Sequence, residues 1–429
     1  MDFRIWLLPI LAMLGFEIYD LNLQEMNAYY GFVPLELGFE SVTLGVVWLG
    51  LAAIVFPAQI RSPSDLFLAF YVLISVIWGA FLWPETGLLS LEQGLLMLFL
   101  LYFPAFSILA ARRFIAPIAE NHVIPIYLFR RDGIHIPLVV LLGAVGITSF
   151  LIIGQGGFGL DTVYERRLAG RDALSQMFFL GYALNMAVNG AAPLAGFVAG
   201  WRRSLVLFLA VLCFAVFTFW ILGLKSPIIN IIALGGVGFV LRYAKLRRYL
   251  PLLMVSGAVA LYGYVFFSVW DGSYSAIADY FVRRLTLVQP QVQSYYLHAW
   301  FALEPGAKLF GSDIHGYADW TFLIGGTYLG SPDTNANTNA FFYSLLRSGI
   351  VGYLIAVAVL SAFNVCVDAL FAHTRMPELV AISGLYGILI SEQAYTTALL
   401  SSGIFLCLVL IVLFSYPSHL SNPKLIWTT

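Results

Sequence analysis

Apolar residues in this 429-residue chain come in long unbroken stretches that do not alternate with polar ones. Such runs fall roughly at 3–19, 41–56, 66–83, 95–111, 134–154, 177–200, 205–224, 227–241, 251–270, 340–371, 379–396 and 399–416. A helix needs about 20 apolar residues to cross the hydrocarbon of a bilayer, and most of these runs approach or exceed that length. The pattern predicts an all-α integral membrane protein with about 12 transmembrane helices. There is no internal repeat or low-complexity segment, so 1–429 reads as a single polytopic membrane domain.

Composition agrees. With 61% apolar and 10% charged residues, the chain lies far from a soluble domain. A net charge of −1 leaves no basic footprint for nucleic acid. Cys213, Cys366 and Cys407 all fall inside apolar stretches, which argues against a disulfide framework or a zinc site. The first residues, MDFRIWLLPILAMLGFEIYD, lack a small-residue cleavage site and carry Glu17 and Asp20, so they read as a retained first span. Most arginines and lysines, Arg61, Arg112, Arg113, Arg202, Arg203, Arg247 and Arg248 among them, fall on one side of the predicted bundle. The positive-inside bias then places both termini in the cytoplasm.

Two segments on the opposite, outer side are longer than connections need to be: about 154–176 and about 271–338. The second contains YFVRRLTLVQPQVQSYYLHAWFAL, too apolar and aromatic for disorder. It predicts one or two amphipathic helices on the outer membrane surface, followed by Gly/Asp/Asn-rich turns. Both segments carry cations against the overall bias. Arg166, Arg167 and Arg171 lie in YERRLAGR, where Arg167 and Arg171 share a helix face. Arg283 and Arg284 follow Asp279, and Lys225 sits where one span ends and the next begins. Guanidinium forks match phosphate oxygens, and a diphosphate can engage several of them. Each arginine taken alone is equally a headgroup contact or a surface ion pair.

Glu392 stands apart from the other outer carboxylates because it falls within an apolar run, where desolvation penalises a charge that has no partner. Asp279 and Glu165 are further candidate acids or bases, with His298 and His315 behind them. Asn335, Asn337 and Asn339 are candidate sugar contacts, and equally turn or helix-cap residues. Tyr295, Tyr296, Trp300 and Trp320 offer rings for stacking on sugars or for interfacial anchoring. HExxH, GxSxG and Walker patterns are absent, and Asp20-Leu21-Asn22 with Glu25 is a poor metal set, so neither a metal nor a cofactor is expected.

YERRLAGR and ADYFVRR resemble the two arginine-bearing periplasmic loops of bacterial O-antigen polymerases of the Wzy type. So do LGLKSPI, SPDTNANTNAFFYSLLRSGIVGYL, and SEQ followed by SSGIFL. The likeness covers most of the chain from about residue 130 onward. At one family spacing, where a glycine follows each loop arginine at a fixed distance, this chain has Met177, Phe178, Ser294 and Tyr295. The resemblance implies a GT-C-like membrane glycosyltransferase of the bacterial inner membrane, acting at its periplasmic face. It would transfer a growing glycan from undecaprenyl diphosphate onto a lipid-linked oligosaccharide repeat unit, and such enzymes generally work with a chain-length regulator. Carried over by position, Arg166, Arg167, Arg171, Lys225, Arg283 and Arg284 would bind the diphosphate, and Asn335, Asn337 and Asn339 the glycan. Glu392, Asp279 or Glu165 would serve as base. The alternatives are an O-antigen ligase, which shares the donor, and a lipid-linked glycan flippase.

Overall fold

The computed structural model describes residues 2–28, 31–35, 37–83, 87–120, 133–154, 156–159, 162–175, 177–312 and 319–415; for 120, 164, 171, 174, 175, 178 and 280 it describes the backbone alone. Every regular element among the described residues is helical. In chain order the main helices are α1 (Phe3–Met26), α2 (Phe39–Val55), α3 (Pro63–Leu82), α4 (Leu91–Phe114) and α5 (His135–Ile153), then α6 (Val163–Ser175). Next come α7 (Phe179–Arg202), α8 (Leu205–Leu222), α9 (Ser226–Arg242) and α10 (Leu250–Val269). The long connection holds α11 (Val288–Phe301), α12 (Pro305–Phe310) and α13 (Trp320–Leu329), and the chain closes with α14 (Ala340–Thr374), α15 (Pro377–Leu389) and α16 (Ile404–Phe414). Eight of these, α1, α3, α4, α5, α7, α8, α10 and α14, are long and apolar enough to cross a membrane. α2, α9, α15 and α16 are shorter apolar helices.

Local chemistry sets the helix ends. Ser62 and Asp65 form a capping box at the start of α3, and Ser90 and Gln93 form one at α4. Pro227, Pro251 and Pro377 occupy the first turns of α9, α10 and α15, where a missing N–H costs nothing. Glycine lets α7 and α9 approach closely: a Cβ on Gly200 would lie 2.0 Å from the Gly235 carbonyl oxygen, and one on Gly238 2.3 Å from that of Phe197. α14 is bent at Ser348 and Gly349, where Gly349 has φ 64° and ψ −165°. The bend receives α12, since a Cβ on Gly349 would meet the Leu309 carbonyl carbon at 2.3 Å.

α11 departs from the expected surface helix. Gln289, Gln291, Gln293, Ser294, Tyr295 and Tyr296 are all buried. Gln293 Nε2 donates to the Ser75 carbonyl of α3 at 3.4 Å, and Ser294 packs against Trp83 and Met97. The long connection therefore folds back into the bundle and wedges a polar helix among α3, α4 and α14. The expected amphipathic surface helix is instead one whose glutamines are enclosed by the protein.

At the end of the bundle away from this connection, α3, α4 and α14 are tied together. Asp65 accepts from the Arg61 and Ser62 N–H groups at 2.7 and 2.9 Å and from Arg112 Nη1 at 2.5 Å. Asp368 accepts from Ser64 N and Ser64 Oγ at 2.9 and 2.6 Å.

Candidate functional site

The loop-rich end gathers the segments the sequence singled out. α15 stops at Leu389, and the following turn is fixed from three sides. Ile390 accepts the Ala340 N–H at 2.8 Å, joining the turn to the start of α14. Ser402 Oγ donates to Gln393 Oε1 at 2.6 Å, and Asn185 Nδ2 of α7 donates to the Ser401 carbonyl at 3.1 Å. Two π-helical turns, Ala187–Ala191 and Thr397–Ser401, pack together here. A Cβ on Gly190 would lie 2.8 Å from the Ser402 carbonyl oxygen, so the contact requires glycine. Such turns recur at functional sites because each leaves a local irregularity in the backbone ladder.

Glu392 sits in this turn. The apolar run placed it inside a span, whereas the helix ends before it and its side chain is solvent-accessible. Surrounding protein nonetheless raises its pKa above the ordinary value, against the lowering effect of Arg284 and then Arg167. Among the described residues no hydrogen bond reaches its carboxylate. Arg167 comes from α6, Arg284 from the short helix Arg283–Thr286 and Glu392 from the α15–α16 turn, and both arginines are exposed. Three separate segments thus bring two cations within electrostatic reach of one carboxylate.

Comparison with protein-family models, curated proteins and solved structures finds no match.

The other candidates divide. Arg283 pairs with Asp279 one turn earlier, Nε to Oδ1 at 2.8 Å, so Asp279 is engaged and Arg283 is held half-buried. Arg166 Nη1 donates to Thr162 Oγ1 at 2.6 Å, while its Nε and Nη2 are enclosed without a hydrogen-bond acceptor among the described residues. Arg171 lies on α6, and its side chain is outside the described residues. Glu165 is exposed on α6, and among the described residues no hydrogen bond or ion pair reaches it. Lys225 is exposed at the start of α9. Asn335 and Asn337 are exposed in the approach to α14. Asn339 is buried as the N-cap of α14: Oδ1 accepts from Phe341 and Phe342 N–H groups at 3.1 and 3.0 Å, and Nδ2 has no hydrogen-bond partner among the described residues. His298 Nδ1 is 2.8 Å from the Tyr328 hydroxyl, and His315 lies outside the described residues. Tyr295, Tyr296, Trp300 and Trp320 are buried, so their faces are closed to a sugar; Tyr295 instead stacks on Tyr328 with centroids 4.8 Å apart.

One polar chain escaped the sequence reading. Tyr343 donates to Asp319 at 2.9 Å and accepts from Arg347 Nη1 at 2.9 Å, linking α13 to the residue before the α14 bend. The i, i+4 spacing of Tyr343 and Arg347 was the available signal; their Asp319 partner is remote in sequence. Among the described residues no group of three His, Cys, Asp or Glu side chains converges to hold a metal ion. The arrangement at Glu392 sets two guanidinium groups within electrostatic reach of a carboxylate that accepts no hydrogen bond among the described residues. That combination can neutralise a departing phosphate while drawing a proton from a hydroxyl.

Proposed function

We propose that the chain is an O-antigen polymerase: a glycosyltransferase with twelve membrane spans and both termini cytoplasmic, working at the periplasmic face of a bacterial inner membrane. It transfers a glycan from undecaprenyl diphosphate to a hydroxyl of a second lipid-linked repeat unit. The observation that carries this reading is the convergence of Arg167, Arg284 and Glu392 from three separate segments. Departure of the diphosphate needs charge neutralisation more than protonation, and arginines in a partly desolvated cleft supply it without a metal. The incoming hydroxyl loses its proton to Glu392, which is accessible and has no competing hydrogen bond among the described residues. Arg283 and Asp279 hold the short helix that presents Arg284. Arg166, Arg171 and Lys225 add positive charge around the diphosphate, and the exposed Asn335 and Asn337 hydrogen-bond the glycan.

The test is product length on a gel after incubating purified protein with undecaprenyl-diphosphate-linked repeat units. Wild type should give a ladder, Glu392→Gln should abolish it, and Arg284→Ala should leave only a weak, shortened one while the protein remains folded. A ladder that survives Glu392→Gln removes that residue as base. Transfer to a lipid A-core acceptor with no ladder makes the enzyme a ligase, and no glycan transfer at all overturns the enzyme reading.

A further inference from the structure

A groove runs between α5 and α8 on the outside of the bundle, with a volume of about 510 Å³. That lies within the roughly 300–1,000 Å³ of small-molecule sites. Gly143, Gly146 and Phe150 of α5 face Cys213, Phe214 and Phe217 of α8 across it, and its lining is apolar. Glycine gives it width: a Cβ on Gly143 would meet nothing within 4 Å, and one on Gly146 would only touch Phe214 at 3.5 Å.

The groove leads upward to a cation. Phe150 and Phe217 at its upper end pack on Trp220, with centroids 6.1 and 6.0 Å apart. The Trp220 carbonyl accepts the Gly157 N–H at 2.9 Å, and Gly157 lies against Arg166, where a Cβ would be 3.4 Å from Nη1. Arg166 is the guanidinium whose Nε and Nη2 are enclosed without acceptors among the described residues. Donors of this kind are seldom left unmatched, because their desolvation is uncompensated until an acceptor arrives. Its neighbour on α6, Arg167, acts on Glu392. An apolar slot at membrane depth, an unmatched guanidinium above it and the candidate site beyond follow one another in that order.

We propose that this groove holds the isoprenoid chain of a polyprenyl diphosphate, with Arg166 taking the diphosphate at its upper end. The proposal rests on the polyprenyl-diphosphate reading above and adds where the tail lies. A wide, aromatic-lined slot with a glycine floor suits a chain that carries a methyl branch in every unit. Gly143 is ten residues from the end of α5, about 15 Å below it, so only a long chain reaches that depth.

Native mass spectrometry of the purified full-length protein tests this with three probes: undecaprenyl diphosphate, geranyl diphosphate and phosphatidylglycerol. Gly143→Trp fills the groove, and Gly257→Trp adds the same ring on α10 at another glycine whose Cβ would meet nothing. Undecaprenyl diphosphate binding should fall at least about tenfold in Gly143→Trp and stay unchanged in Gly257→Trp. Geranyl diphosphate, too short to reach Gly143, should bind wild type and Gly143→Trp equally and be lost in Arg166→Gln. Phosphatidylglycerol should respond to neither groove nor arginine variant. Undecaprenyl diphosphate that binds wild type but ignores both Gly143→Trp and Arg166→Gln sinks the groove and leaves the polymerase reading standing. Equal losses of phosphatidylglycerol and undecaprenyl diphosphate in Gly143→Trp make the groove a general lipid surface and overturn its assignment. If wild type binds neither diphosphate, both this proposal and the reading beneath it fall.

Discussion

Arg112→Met is the sharpest probe of how the bundle is held at the end opposite the candidate site. Methionine keeps the apolar stem and deletes the guanidinium, so Asp65 Oδ1 loses its 2.5 Å partner. The other Asp65 oxygen still accepts the Arg61 and Ser62 N–H groups. Deleting one member of a buried ion pair costs about 3–5 kcal/mol, chiefly because the remaining charge is left uncompensated. Arg112 keeps 31% of its side-chain surface exposed, so solvent already screens part of this pair. A cost of about 2–3 kcal/mol follows. Asp368→Asn makes the contrast. An amide can still accept from Ser64 N while its Nδ2 donates to Ser64 Oγ, so both contacts survive, and one of two neighbouring negative charges disappears. Its effect should stay within about 1 kcal/mol. Asp65→Asn should resemble Arg112→Met, and the double variant should cost clearly less than the two singles added, because both remove one interaction. The assay is the thermal midpoint of purified protein in a single detergent, measured for all four variants. A midpoint for Asp368→Asn as low as that of Arg112→Met, or strict additivity of the double variant, would refute the reasoning.

Three further outcomes follow from particular contacts. As a base Glu392 must be ionised, so activity falls on the acid side through a pKa raised above the roughly 4.3 of a free glutamate. Arg284→Ala removes a charge that lowers that pKa, so the acid limb of the residual activity should move to higher pH; a limb that stays put or moves down contradicts the pairing. Gly200→Ala drives a methyl to 2.0 Å from the Gly235 carbonyl oxygen and should cost about 1–3 kcal/mol by thermal midpoint. Gly236→Ala meets nothing within 4 Å and should be neutral or gain up to about 1 kcal/mol from a stiffer unfolded chain. Tyr343→Phe deletes the hydroxyl joining Asp319 and Arg347 and should cost about 1–2 kcal/mol, with faster hydrogen exchange in α13 as the local readout.

The helices were legible because a membrane span has to be apolar along its whole length, and the runs of this chain are. What length and polarity cannot report is where a connection goes. The segment of α11 reads as an amphipathic helix on the outer membrane surface, yet Gln293 is fully buried and bonded to the Ser75 carbonyl. Such a partner is invisible in a one-dimensional pattern, and so is the approach of Arg167 and Arg284 to Glu392. The run 340–371 likewise read as one span and gave no weight to Ser348-Gly349, where the helix bends to receive α12.

Asp368 and Glu392, two of the three acidic residues inside the predicted apolar runs, show how far the same rule carries. A carboxylate at membrane depth asks for a partner, and it flags Asp368 as firmly as Glu392. The structure answers differently for each. Both Asp368 oxygens are taken up by Ser64, and the side chain is buried, so it is committed to holding α3 against α14. Glu392 has two cations within electrostatic reach, an accessible side chain and no hydrogen bond among the described residues. A carboxylate whose lone pairs are saturated can stabilise a fold but has nothing left to accept a substrate proton. One desolvated by surrounding protein, with no hydrogen bond among the described residues, carries a cost that bound substrate can relieve, and on that difference Glu392, rather than Asp368, is the residue proposed for the chemistry.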